Sequence, residues 1–437
     1  MSVRPRHHGF VHDGVKRSRA ALLVGKTPLR WLFVGLFSRV FFPFLQTRTI
    51  DPIMKILQIN VIYGHGSTGK IVQALHEEYM RQGHDSHVFF GRGPKGDDKR
   101  IVRIGFLWEA KLWRFIQLFT GNHLGGSPLS TWNLKRHIKK LNPDVVHVHL
   151  INGNMCNVFS LMKWLRKQGY KVVLTHHAKL MFTGGCGINL CDKYQSGCGD
   201  CPLKKEVFGF APDCSRHTNR KLASLGLDKT WIRHSYVSPW LLFLAERSSI
   251  LENADNHAVC NPVDIAIFNP DGRLDKPLRD RPYVFFPTSV HNEVKGWQWI
   301  EAVGARLKEL GLDLLVTGSG NERFDSSSII DVGHISDQKL LASYYRQAKV
   351  TIVLSKFESF SMPTAESLCC GTPVCGFKAG GPESIAPEDY GAVDNGDIDQ
   401  LILEIKRSMD VDRSSIANKA MDKFSTAHIA EEFLHLY

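Results

Sequence analysis

Short apolar runs alternate with amphipathic stretches along this chain, and the alternation starts twice. The first series opens with KILQINV (55–61), passes through the amphipathic KIVQALHEEYMRQG (70–83) into DSHVFF (85–90), and returns to apolar runs at DVVHVHL (144–150) and KVVLTHH (171–177). The second opens with YVFFPTS (283–289) and continues with DLLVTGSG (313–320) and KVTIVLS (349–355). Strands separated by helical stretches predict a parallel sheet with helices on both faces. A segment rich in Pro, Asp and Arg separates the two series, and a chain of 437 residues is too long for one ordinary core, so two α/β domains are expected. We place the first domain at 54–267, a linker at 268–282 and the second domain at 283–427. The last helix, 428–437, is expected to pack back across the junction.

NVIYGHGSTGK (60–70) has the spacing of a phosphate-gripping loop, with Gly64, four residues, then Gly69 and Lys70. An ATP-binding loop of that kind needs a hydroxyl after the lysine to hold magnesium, and Ile71 stands there. ATP hydrolysis is therefore excluded as the reading. The loop still lies where a strand gives way to a helix, so the backbone at Gly64 and Gly66 can approach a phosphate or a sugar oxygen closely.

Residues 1–53 form a leader carrying nine Lys/Arg against two Asp, a large part of the chain's formal charge of +12. Such a balance favours anionic partners, whether lipid, nucleic acid or phosphorylated substrate, and does not choose among them. The apolar run WLFVGLFSRVFFPFL (31–45) is interrupted by Arg39 and Pro43 and falls short of the roughly 20 residues a spanning helix needs. It predicts an interfacial anchor or an extension dispensable for folding. Within the first domain, Trp108, Leu112, Phe115, Ile116 and Phe119 recur at helical spacing, which predicts a helix with a core-facing stripe. The other reading of that stripe is a membrane-docking or acceptor-binding flap, with Lys111 and Arg114 near lipid phosphates.

The strongest signal is SKFESFSMPTAESLCCGTPVCGFKAGGPESI (355–385). Glu358 lies on a loop after a strand, the amides of Phe360, Ser361 and Met362 open a helix, and Glu366 lies within that helix. A helix start can take a diphosphate, and a carboxylate can accept two hydrogen bonds from paired sugar hydroxyls. Here the chain resembles the retaining glycosyltransferases of the GT-B fold known as glycosyl transferases group 1, over residues 54–437. The resemblance implies two facing Rossmann-like domains with a deep interdomain cleft. It further implies that Glu366 binds the donor ribose, Glu358 contacts the transferred sugar, and the Phe360–Met362 amides meet the phosphates.

Two further segments carry the resemblance. In SVHNEVKGWQW, Lys295 matches the family's lysine that neutralises the donor diphosphate. The arginine usual a few residues earlier is replaced by Ser289, Val290 and His291. In LTHHAKLMFTGGC, His177 matches the histidine that contacts the donor sugar; Ala178 follows where an Asp is common. The expected activity is retaining transfer of a sugar from a nucleotide-sugar donor to a saccharide acceptor, lipid-linked by expectation, in cell-surface polysaccharide assembly. The alternative is a non-catalytic relative that binds a sugar nucleotide or a partner protein. An anionic membrane surface is a further expected partner; nucleic acid is not.

Four of the ten cysteines, Cys186, Cys191, Cys198 and Cys201, fall in a glycine-rich loop, 183–205, directly after His177. Four sulfurs with one Cys-x-x-Cys pair suit a structural zinc. Disulfides, free thiols and another metal are the alternatives, and catalysis itself is expected to need no cofactor. The scatter of the other cysteines fits a reducing compartment, so the expected location is cytoplasmic, with a peripheral position on the inner face of the plasma membrane as a refinement.

Overall fold

The computed structural model describes residues 52–437, apart from 188–190, 273–276, 289, 319 and 321–322. The expectations for residues 1–51, and for Ser289, lie outside the described residues. The first sheet comprises β1 (Lys55–Asn60), β2 (Asp85–Phe90), β3 (Ile101–Arg103), β4 (Val145–Val148), β5 (Lys171–His176), β6 (Ile232–Tyr236) and β7 (Asn256–Ala258), in the order β3-β2-β1-β4-β5-β6-β7. The second comprises β8 (Tyr283–Phe286), β9 (Asp313–Val316), β10 (Ile329–Asp331), β11 (Val350–Val353), β12 (Val374–Phe377) and β13 (Tyr390–Val393), in the order β10-β9-β8-β11-β12-β13. Every strand pair is parallel. The fold is GT-B: two Rossmann-like α/β lobes.

The central strands are near-continuous apolar runs because helices cover both faces of each sheet. Ile56, Leu57 and Ile59 of β1 and Val284, Phe285 and Phe286 of β8 are fully buried. In each sheet the strand order reverses beside the first strand, between β1 and β4 and between β8 and β11. Doubly wound sheets bind ligands at such reversals, outside the carboxyl ends of the strands.

The chain crosses between the lobes and then returns. Val263 pairs with Ser425, and the Val263 N–H donates to the Phe424 carbonyl at 2.8 Å. The final helix, Thr426–Leu436, lays Ile429, Phe433 and Leu436 against Ile56, Leu75 and Val145 of the first lobe. Tyr437 ends the chain in a buried polar line: its hydroxyl lies 2.9 Å from the Tyr79 hydroxyl and 2.6 Å from His147 Nδ1, while His147 Nε2 lies 2.7 Å from Thr175 Oγ1.

One sequence expectation is reversed. The helix α2 (Leu107–Thr120) forms as its spacing predicts, after α1 (Gly66–Arg81) and before α3 (Pro128–Leu141). Its aromatic stripe, however, faces away from the core, with Trp108, Leu112, Phe115 and Phe119 49–62% exposed. Leaving a large apolar side chain in water forgoes about 1.5–3 kcal/mol relative to full burial. The opposite face is pinned by polar bonds instead. Glu109, the buried residue of α2, accepts from the Leu129 and Ser130 amides and the Ser130 hydroxyl at 2.6–2.8 Å, so its carboxylate serves the N-terminus of α3. Two turns on, Gln117 accepts from Asn154 Nδ2 at 2.9 Å. A buried carboxylate with three charge-assisted bonds outweighs the stripe in setting the helix's rotation.

Replacing Tyr437 with Phe removes the hydroxyl shared by Tyr79 and His147. We expect it to lower stability by about 1–3 kcal/mol, read by chemical denaturation, because both partners stay buried without it. An unchanged denaturation midpoint would show that the line contributes nothing.

Candidate active site between the lobes

Both sheets send their strand ends toward the junction of the lobes, and the residues singled out from the sequence lie in those loops. Gly64 and Gly66 follow β1 with φ of +74° and +63°, and the Gly64 N–H donates to the Gly69 carbonyl at 3.1 Å. The turn delivers the chain into α1, whose first turn carries no acidic side chain and whose N-cap, His65, makes no side-chain capping bond. Neither the N-cap side chain nor an acid of the first turn therefore caps its opening amides.

His177 follows β5. Its Nε2 lies 3.4 Å from His149 Nδ1 at the end of β4, and the two rings stack. His149 Nε2 lies 3.2 Å from Gln58 Oε1, so the imidazoles continue a polar line across the sheet. His176 points the other way, 2.9 Å from His234 Nδ1 and stacked on Tyr236. Burial pushes the imidazoles of His177 and His234 down to about 4 and of His147 to about 3, and those of His149 and His176 well below the ordinary histidine range.

In the second lobe, Lys295 sits in a short turn after β8, where Asn292 Oδ1 accepts from the Lys295 N–H at 2.9 Å. The glycine that follows is required. Gly296 has φ of +84°, and a Cβ there would lie 2.1 Å from the Leu354 carbonyl, so only glycine lets this turn press against the end of β11. That contact brings Lys295 Nζ to 2.5 Å from Glu358 Oε1, which also accepts from Ser355 Oγ at 2.9 Å. Two residues separated by 63 positions thus form a half-buried ion pair. The Glu358 loop is held from behind by the 380–381 turn, with the Gly381 N–H donating to the Glu358 carbonyl at 2.8 Å.

Phe360 is buried and Ser361 caps the helix Met362–Cys369 with φ of +79°, a left-handed conformation that a non-glycine residue adopts at some cost. Glu366 lies on that helix and accepts from the Tyr345 hydroxyl at 3.2 Å. Burial pushes its carboxyl up to about 7, against the opposing pull of Tyr345 and of Lys70. Lys70 belongs to α1, so the glycine loop of the first lobe lies within electrostatic reach of Glu366 in the second. Sequence reasoning gave Lys70 no role once the ATP reading was dropped, and no local pattern pairs it with a carboxylate 296 positions away.

Other bonds tie the lobes together beside the site. Ser238, after β6, donates to the Ser359 carbonyl at 2.6 Å, and Trp240 meets Phe357 edge-on with ring centroids 4.8 Å apart. The buried Lys179 ammonium lies 5.6 Å from the Phe357 ring and 5.0 Å from that of Tyr194. His291, where an arginine was expected by resemblance, stacks on Trp297 with centroids 3.5 Å apart.

Cys186, Cys191, Cys198 and Cys201 line one pocket of about 20 Å³, walled by Leu203, Val207 and Phe208, with room for one small ion or water. Burial and the neighbouring sulfurs push the Cys198 thiol up to about 11. Among the described residues, no group of three or more His, Cys, Asp or Glu side chains is placed to hold a metal ion. The donor chemistry suits zinc; the positions of the sulfurs, as they stand, do not converge on a common point.

The buried imidazoles make stability depend on pH. Their folded pKa values lie below the unfolded value near 6.5, so the unfolded chain takes up protons first and stability falls as pH drops from 6.5 toward 4. Each should cost about 1–2 kcal/mol between pH 7 and 5, as measured by denaturation at each pH. A flat profile would contradict the neutral, buried state assigned to them.

Comparison with known proteins gives a consistent picture. Residues 281–410 match the family described as Glycosyl transferases group 1, and residues 68–190 match Glycosyltransferase Family 4, together more than half of the chain. The putative colanic acid biosynthesis glycosyl transferase WcaC of Escherichia coli is 21% identical, over 88% of this chain and 99% of its own length. A GDP-mannose-dependent alpha-(1-6)-phosphatidylinositol dimannoside mannosyltransferase of Mycobacterium tuberculosis is 24% identical, over 78% of this chain and 83% of its own. Among solved structures, sucrose-phosphate synthase of Thermosynechococcus elongatus superposes with a TM-score of 0.61 at 18% identity, covering 87% of this chain and 98% of that one. Anabaena HepE in complex with UDP-glucose superposes at 0.54 and 13% identity, over 87% and 98%.

Proposed function

We propose that this chain, which matches the group 1 glycosyltransferases over residues 281–410 and Glycosyltransferase Family 4 over 68–190, transfers a sugar, with retention of configuration, from a nucleotide-sugar donor to a lipid-linked saccharide in the assembly of a cell-surface polysaccharide. The observation that carries the reading is the convergence of Lys295, Glu358, the start of the helix Met362–Cys369, and Glu366 with Lys70 within electrostatic reach, in the loops and helix starts that follow strand ends where the lobes meet. Relatives named for colanic acid biosynthesis and for a phosphatidylinositol mannoside support the acceptor class, and a similar fold solved with UDP-glucose supports the donor class.

In this reading Glu366 accepts from the ribose hydroxyls, the Phe360–Met362 amides and Lys295 take the diphosphate, and Glu358 and His177 contact the sugar. The bond from the anomeric carbon to the diphosphate breaks, the acceptor oxygen attacks from the same face, and its proton passes to the departing diphosphate. The step needs charge stabilisation on the leaving group, which a fixed cation and fixed amides supply without reorganising. The Lys295–Glu358 pair adds a condition. Before the donor binds, Glu358 holds the lysine; the diphosphate takes its place, leaving Glu358 available to the sugar. Bringing the lobes together excludes water and suppresses hydrolysis of the donor.

The test is release of nucleoside diphosphate on adding acceptor, with donors chosen by thermal stabilisation against a panel of UDP-, GDP- and ADP-sugars. Glu366→Ala should weaken donor binding at least about tenfold. Because the ionised carboxylate accepts the ribose hydroxyls and its pKa is raised to about 7, affinity should also fall as pH drops below 7, and Glu366→Gln should flatten that dependence. Undiminished affinity in Glu366→Ala would remove the site assignment; donor binding without release on any acceptor would favour a non-catalytic binding protein.

For the cysteine loop we propose a structural zinc held by Cys186, Cys191, Cys198 and Cys201, supported by the four sulfurs around one ion-sized pocket. Binding requires the thiols to deprotonate and turn inward. Elemental analysis of the purified chain should find one zinc per molecule; none, with four alkylatable thiols, would exclude it.

A further inference from the structure

The outward face of α2 is an exposed apolar feature of the described surface that the donor site does not use. Trp108, Leu112, Phe115 and Phe119 follow one another at helical spacing, each about half exposed or more. Phe119 stacks on Phe210, 82% exposed, with centroids 6.1 Å apart, and Phe115 meets Phe119 edge-on at 5.3 Å. Trp132 adds a further exposed ring two residues beyond the point where Glu109 clamps the start of α3. The face is held in place from behind by Glu109 and Gln117, so its exposure is built into the packing. Contiguous exposed aromatic residues of this extent mark an interaction surface.

The charge around the face identifies its occupant. Exposed Lys111 and Arg114 lie on α2, Arg136 of α3 sits over the Trp132 ring at 5.7 Å, and Lys204 and Lys205 precede Phe210. Glu109 is the only acidic residue of α2 and is buried, and α3 has none; Glu206 and Asp213 are the exposed acids near Phe210 in sequence, against Lys204 and Lys205 on the same stretch. A second copy of the chain would oppose one basic face to another. The leader, with nine Lys/Arg against two Asp, carries the same sign. Trp and Phe flanked by Lys and Arg suit the boundary between acyl chains and anionic headgroups.

We propose that the outer face of α2, with Trp132 and Phe210, docks the first lobe on an anionic lipid bilayer. It rests on the glycosyltransferase reading only for the lipid-linked acceptor such a surface would serve. The rings enter the headgroup boundary while the basic residues meet lipid phosphates.

The experiment is sedimentation of the full chain with vesicles of phosphatidylcholine alone or mixed with phosphatidylglycerol. The wild-type chain should bind the mixed vesicles, and more weakly as salt rises. Trp108→Ser/Phe115→Ser/Phe119→Ser should reduce that binding at least about tenfold, and Lys111→Glu/Arg114→Glu should remove the preference for anionic lipid. All five positions are exposed, so the fold should survive, with stabilisation by a nucleotide sugar as its check. That check also separates the two readings, since the donor loops do not include α2: lost vesicle binding with retained donor binding supports the docking face alone. Wild-type binding by the triple variant, no binding by the wild-type chain, or a dimer that the triple variant dissociates without change in vesicle binding would each overturn the proposal.

Discussion

Parallel strands joined by helical crossovers all end on the same edge of their sheet, and everything chemical in this protein follows from that constraint. The loops after β1 and β5 in one lobe, and after β8 and β11 in the other, cannot be anywhere but at that edge. Once the linker and the returning C-terminal helix set the two edges toward each other, residues scattered from Gly64 to Glu366 become neighbours. The sheets therefore serve as rigid mounts, and the loops carry the function.

Electrostatics inside the site has a consistent direction. Lys295, which in the proposed reading meets the diphosphate, is held by Glu358, which in that reading meets the sugar. Glu366, half-buried, is pushed toward neutrality and drawn back by Tyr345 and Lys70. Lys70 comes from the opposite lobe, so both lobes bear on the ionisation of Glu366. On the first lobe's side, burial disfavours the charged form of His177, His149 and His147, so that line of imidazoles stays neutral.

Two features lie outside that economy of strand ends. The helix Thr426–Leu436 closes the first lobe's core through Ile429 and Phe433, joined by Tyr437, so the lobe is completed by residues that follow the whole second lobe in sequence. The helix α2 leaves its aromatic stripe in water, and the buried Glu109 explains why: a carboxylate held by the α3 amides can sit only on the inner side, which commits the opposite side to solvent or to a partner.

The sequence by itself determined the alternation of strands and helices, the restart near Tyr283, and the residue types in the loops, because periodicity and glycine, proline and carboxylate placement are local properties. It also yielded Glu358, Glu366, Lys295 and His177 as candidates, each within a recognisable short segment. Only the tertiary structure decided that Lys295 and Glu358 pair, that Lys70 comes within electrostatic reach of Glu366, that Tyr437 completes a line to His147, and which side of α2 faces inward. Those relations join residues tens to hundreds of positions apart. A periodic stripe states that a helix has two faces, and only the packing around it selects the one that is buried.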